Sequence, residues 1–249
     1  MKKHITAFFM AWGMFCAIPC PFRHWDEKTR GWMLVYLPVI GLLTGAVWTL
    51  AAWLFGHMGW DGFLPACVLM LLPFLLTGFL HLDGFMDCCD AILSRRDLET
   101  RQKILKDSHV GSFAVICAAL LFLTEFAAFC DMDWTENRFG LLFLPMAVRA
   151  VAALCVRYRK PMQTSQYAGQ YEQEKTKAQG VCMTVLLALS TALPVLLIGR
   201  AGCACVLGVL GSSLAAWLAS RNLGGMSGDV SGFAVTVGEL CGILYLAIL

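Results

Sequence analysis

Seven apolar runs of 17 to 24 residues, carrying few charges, punctuate this 249-residue chain: approximately Trp32 to Phe55, Phe63 to Leu82, Ser112 to Cys130, Phe139 to Tyr158, Val181 to Gly199, Gly202 to Ser220, and Phe233 to Leu249. About 18 such residues, wound as a helix, cross about 30 Å of hydrocarbon. Inside a bilayer every backbone polar group must be satisfied within the segment, which selects helices. The expected fold is therefore all-α, a polytopic transmembrane bundle of about seven spans forming one integral membrane domain over residues 1–249. Composition agrees: 59% of residues are hydrophobic and 14% charged, against about 45–50% and about 25% in soluble domains. A soluble globule of this length could not hide that much apolar surface. The formal charge of +2 is too small for a nucleic-acid binder working by bulk charge. The segment from Ile5 to Pro19 is short for a span and ends in two prolines; it is expected to be a re-entrant or interfacial helix.

Charge fixes the expected orientation. With the N-terminus cytoplasmic and the first segment not spanning, 16 of the 19 Lys and Arg residues fall on the cytoplasmic side. Only Arg138 and Arg200 fall outside, and Arg149 lies within a run. This is the bias of the positive-inside rule. It puts the C-terminus outside and the three acidic motifs described next on the cytoplasmic side. The polar stretch Met162 to Gly180 is the longest candidate for a cap over that face. The twelve cysteines show no CxxC pair and no zinc spacing, and read as reduced apolar fillers.

Chemistry concentrates in three polar knots. Asp83, Asp87 and Asp90 stand at i, i+4, i+7, within about 60° of one another on a helix. Three carboxylates on one stripe repel unless a cation neutralises them. Hard oxygen ligands suit Mg²⁺, which shares its shell with substrate phosphates; a solvated face beside Arg95 and Arg96 is the alternative. Gly84 permits close approach of a backbone or ligand, or simply packing. His81 is a ligand, a proton shuttle or a hydrogen-bonded bystander. In the second knot Lys106 could pair with a phosphate, and Ser108 stands beside it; Asp107 could bind metal or cap the next helix. The third knot, Arg221 to Gly232, is a glycine-rich turn whose backbone N–H groups, at Gly225 and Gly228 among others, could cradle phosphate. Asp229 in that turn makes a joint site with Asp83 plausible. Glu125, Arg149 and Glu239 lie within runs, where ionisable groups face the interior or each other. Arg149 either pairs with a glutamate or reaches a substrate phosphate.

At these residues the chain resembles the cobalamin synthase (adenosylcobinamide-GDP ribazoletransferase) family. The resemblance rests on HLDGFMDCCDAI (His81 to Ile92), KDSHVGSFA (Lys106 to Ala114) and LGGMSGDVSGF (Leu223 to Phe233). It extends over most of the chain, including length and span pattern. His109 departs from the Arg usual in the family, and Ser227 from its Thr. The resemblance implies a Mg²⁺-dependent enzyme of the bacterial cytoplasmic membrane. Its implied substrates are adenosylcobinamide-GDP and α-ribazole, or α-ribazole 5′-phosphate, and its products adenosylcobalamin, or its 5′-phosphate, and GMP. It implies metal binding by Asp83, Asp87, Asp90, Asp107 and Asp229. Catalytic roles are expected for Asp83, His81, Lys106 and Arg149, and substrate-cradling ones for Gly84, Ser108, Gly225 and Gly228. The lipid bilayer is a partner, nucleic acid is not, and there is room for a homo-oligomer. A CDP-alcohol phosphotransferase is the nearest rival, but the AR pair that should follow its DG is absent. A transporter is the rival from another class, although most acids here sit at a membrane edge rather than the midplane.

Overall fold

The structure, a computed structural model, describes residues 2–22, 24–163 and 175–249. Among the described residues eleven α-helices follow in order: α1 (Lys2–Phe15), α2 (Arg30–His57), α3 (Phe63–Leu76), α4 (Leu80–Leu93), α5 (Leu98–Ile104), α6 (Ser112–Asp131), α7 (Trp134–Asn137), α8 (Gly140–Tyr158), α9 (Lys177–Ile198), α10 (Cys203–Leu223) and α11 (Gly228–Ala247). No strand forms among the described residues. The chain is an all-α, multi-pass membrane bundle. Its outer faces are apolar, with Leu196 81% and Phe63 77% exposed, a surface that lipid rather than water covers.

Five helical stretches are long and apolar enough to cross a membrane, or six if the bent pair α3–α4 counts as one. Seven runs were expected, and the difference has two physical sources. The runs Val181 to Gly199 and Gly202 to Ser220 belong to one continuous helical stretch, Lys177–Leu223, of 47 residues. Straight, it would be about 70 Å long. Instead Gly202 abuts the backbone of Pro194 and Val195, which a straight helix would hold more than 10 Å away, so the chain doubles back at Gly199–Gly202. The run Phe63 to Leu82 is not one helix. Gly78 and Phe79 adopt left-handed conformations, φ 59° and 62°, which end α3 in the manner of a helix C-terminus. The chain then leaves along α4 at 91°. Hydropathy stays high through Leu82, so the break is invisible to it.

The first segment is a 14-residue helix that buries Ala7, Met10 and Ala11; Met10 and Ala11 form one apolar cluster with Met33 and Ile40. It is too short to span. The main core lies among α2, α3, α6, α8, α10 and α11, around Trp48, Phe129, Leu144, Val148 and Ile243. Trp48 donates its indole N–H to the Leu69 carbonyl at 2.8 Å. Small residues bring the helices together, as membrane helices require. A Cβ on Gly45 would lie 2.8 Å from the Leu141 carbonyl of α8, and one on Gly238 would lie 2.8 Å from the Gly208 carbonyl of α10. All twelve cysteines are free. Most of the polar stretch expected to cap the bundle, residues 164–174, lies outside the described residues.

Candidate active site

α4 carries the acidic stripe and is positioned by glycines. A Cβ on Gly84 would stand 2.8 Å from both Cα and O of Asp229, and one on Gly232 of α11 would stand 3.0 Å from the His81 carbonyl. The two backbones therefore cross in direct contact, and Thr236 donates from its hydroxyl to the same His81 carbonyl at 3.2 Å. The crossing puts the start of α11 beside the stripe. Asp87 lies within electrostatic reach of Asp83, Asp90 and Asp229 together. Asp83 is exposed, while Asp87, Asp90 and Asp229 are half-buried.

Local bonds sort these carboxylates. Asp229 accepts from the Ser227 hydroxyl at 3.3 Å, and Ser227 caps α11 by accepting from the Val230 N–H at 3.2 Å. Asp90 accepts from the Ala114 N–H at 3.4 Å. Ala114 is the third residue of α6, whose N-cap, Gly111, offers no side-chain acceptor. Asp90 thus supplies from a neighbouring helix the acceptor that an N-cap side chain ordinarily provides. The Gly111 backbone lies directly against the Asp90 carboxylate, which ties the second knot to the first.

Several expected roles change. Asp107 does not cap α6; it accepts from the His109 N–H at 3.0 Å and pairs with the His109 ring at 2.6 Å. That contact holds the Asp107 carboxyl below the usual range and raises His109. Asp107 is exposed and engaged with His109. Lys106 and Ser108 are exposed on the same loop. His81 is 6% exposed, buried within the bundle rather than at its surface; among the described residues its Nε2 has no hydrogen-bond partner. Arg149 is 1% exposed. Its Nη1 donates to Glu239 Oε1 at 2.6 Å and to the Pro145 carbonyl at 3.2 Å. The ion pair, not a substrate phosphate, occupies this guanidinium, because an apolar bundle leaves a charge nowhere else to go. Gly225 is engaged in backbone packing. It is buried against the backbone of Pro161 and Met162, where Met226 N–H donates to Lys160 O at 2.8 Å and Met162 N–H to Met226 O at 2.9 Å. Gly228 is exposed as the first residue of α11.

Sequence reasoning missed Gly111 and Gly232 as contact points, and the bridge from Lys160–Met162 to the glycine-rich turn. For Gly232 a signal exists: Gly228 and Gly232 form a G-x-x-x-G face, the spacing of close helix contacts. For the other two there is none.

Among the described residues no three His, Cys, Asp or Glu side chains converge to hold an ion unaided. Yet Asp83, Asp87, Asp90 and Asp229 share one field, and among the described residues none of them is in an ion pair. Crowded carboxylates without a protein cation fit an ion that takes one or two of them and completes its shell with water and substrate phosphate.

A multi-pass helical bundle with carboxylates gathered where α4 meets α11 defines a class: integral membrane proteins with an acidic polar site at a helix crossing. More particularly, the chain belongs to the cobalamin-5-phosphate synthase family, whose model matches residues 7–247. It is 37% identical over 254 residues to the adenosylcobinamide-GDP ribazoletransferase of Clostridium botulinum (strain Alaska E43 / Type E3), covering 98% of this chain and 97% of that one. It is 34% identical to the protein of that name in Clostridium perfringens (strain 13 / Type A), over the whole of both chains. No solved structure matches.

Proposed function

We propose that this protein is an adenosylcobinamide-GDP ribazoletransferase. It joins adenosylcobinamide-GDP to α-ribazole, or its 5′-phosphate, and releases GMP, with its site on the cytoplasmic face of a bacterial membrane. The observation that carries this reading is the meeting of Asp83 and Asp87 with Asp229 across the Gly84 contact, on motifs shared with the family. A ribose hydroxyl of α-ribazole attacks the pyrophosphate phosphorus nearer the cobinamide. The bond from that phosphorus to the bridging oxygen breaks, and GMP leaves with that oxygen. Phosphoryl transfer is catalysed mainly by alignment and charge neutralisation.

Magnesium, held by Asp87 and Asp229 with water and substrate phosphate completing its shell, would neutralise the pyrophosphate oxygens and ease departure of GMP. In this reading Asp83, the most exposed of the four carboxylates, takes the hydroxyl proton. Asp90 fixes α6, and with it the Lys106–Gly111 loop, against the acidic helix. Lys106, exposed on that loop, serves the anionic substrate as a point charge. The test uses purified protein in lipid vesicles with adenosylcobinamide-GDP, α-ribazole and Mg²⁺. Chromatography should show adenosylcobalamin and GMP forming together. GMP appearing without a joined corrinoid, or no product at all, would refute the assignment.

A further inference from the structure

Two residues other than glycine have positive φ among the described residues, Phe79 at 62° and Arg95 at 53°. They bracket α4, the helix that carries the acidic stripe. Arg95 follows the C-cap Ser94, at the position where a left-handed residue ends many helices and where glycine is usual. Its N–H donates to the Ile92 carbonyl at 3.3 Å, so the backbone turn is made, and glycine would make it without the steric cost that a Cβ incurs there. A charged side chain at a strained backbone position points to use of the side chain.

Among the described residues the neighbouring cations divide into engaged ones, Arg101 and Lys103, and the exposed pair Arg95 and Arg96, of which Arg95 alone has the left-handed backbone. Arg101 is committed to Asn222, with its Nη1 3.2 Å from the Asn222 carbonyl. Lys103 pairs with Glu99 at 2.8 Å. Arg95 is exposed and its guanidinium has no hydrogen bond or ion pair among the described residues. It sits five residues beyond Asp90, on the segment between the acidic helix and α5.

We propose that Arg95 is an anion-binding residue for the pyrophosphate group of the nucleotide-activated substrate, an inference that rests on the reading of the reaction above. A guanidinium offers paired donors in a fixed fork that match phosphate oxygens, which an ammonium cannot reproduce. The carboxylates of α4 repel the same phosphates, so a cation at the helix end offsets that repulsion and orients the group.

Arg95→Gly tests the two roles against each other, because glycine relieves the backbone while removing the charge. The thermal midpoint in detergent should hold or rise. The KM for adenosylcobinamide-GDP should increase roughly 10- to 100-fold, as loss of a charge-assisted contact implies, with the KM for α-ribazole unchanged. Arg95→Lys should recover only part of the loss. Lys103→Gln, a control for bulk charge, should leave both constants as they are. Inorganic pyrophosphate, measured by calorimetry, should bind the wild-type protein more tightly than Arg95→Gly. An unchanged KM and unchanged pyrophosphate affinity in Arg95→Gly would overturn the inference while leaving the transferase reading intact. So would a lowered thermal midpoint that accounts for the lost activity. If wild-type protein binds pyrophosphate through Arg95 yet makes no adenosylcobalamin, the anion site stands and the transferase reading falls.

Discussion

Two glycines act at the residue scale by leaving room for acids. Gly84 has no space for a methyl group, because the neighbouring atoms are Asp229 backbone rather than a flexible side-chain end. Gly84→Ala should push α11 away from α4, destabilise the protein by about 1–3 kcal/mol as overpacking does, and lower turnover at the same time. Denaturation in detergent and initial rates measure both; a stable, fully active Gly84→Ala would mean that the contact does not set the site. Gly111→Ala should displace the Asp90 carboxylate and uncap α6. Its stability loss should be of the size of a missing N-cap, about 0.5–2 kcal/mol, with the drop in activity smaller than that of Asp87→Asn. If Gly111→Ala inactivates as completely as Asp87→Asn, Asp90 is more than a cap. The proximity of Asp83, Asp87 and Asp229 was legible in the sequence, from the i, i+4 spacing of the first two and the loop side expected for the third. The cap role of Asp90 was not, since its partner lies 24 residues away and only the folded loop brings it near.

At the scale of helices, Arg149 and Glu239 join α8 to α11 inside the bundle. A buried pair contributes little net stability, but removing one member strands the other. Arg149→Ala should therefore cost about 3–5 kcal/mol and reduce the amount of folded protein in the membrane. Arg149→Lys should keep an ion pair and most of the activity. Titration with a denaturing detergent, alongside turnover per folded molecule, distinguishes these results; an Arg149→Lys that folds normally but loses turnover would show that the guanidinium serves substrate after all. The long helices were legible from apolar length, within a residue or two at Ser112 and Tyr158. The α3–α4 break was not, because Leu80 and Leu82 keep hydropathy high while the φ of Gly78 and Phe79 decides the direction. Nor was the choice of Glu239 over Glu125 for Arg149, which depends on helix rotation rather than composition.

Across the whole molecule, the strong one-sided distribution of Lys and Arg predicts that the acidic mouth faces the cytoplasm. A single cysteine at position 98, Leu98→Cys in a cysteine-depleted chain, should resist an impermeant thiol reagent in intact cells and react once they are opened. Labelling in intact cells would invert the topology. The central claim is that the acidic stripe of α4 and the start of α11 form one site rather than two polar patches. Turnover of Asp87→Asn, Asp229→Asn and the double variant tests it most directly, since residues acting as a unit are not additive. Each single variant should lose roughly 100-fold or more in kcat, the scale of removing one stabilising group in other active sites, while still inserting in the membrane. The double variant should be no worse than the weaker single. Losses that multiply, or a single variant with near-normal turnover, would contradict a shared site.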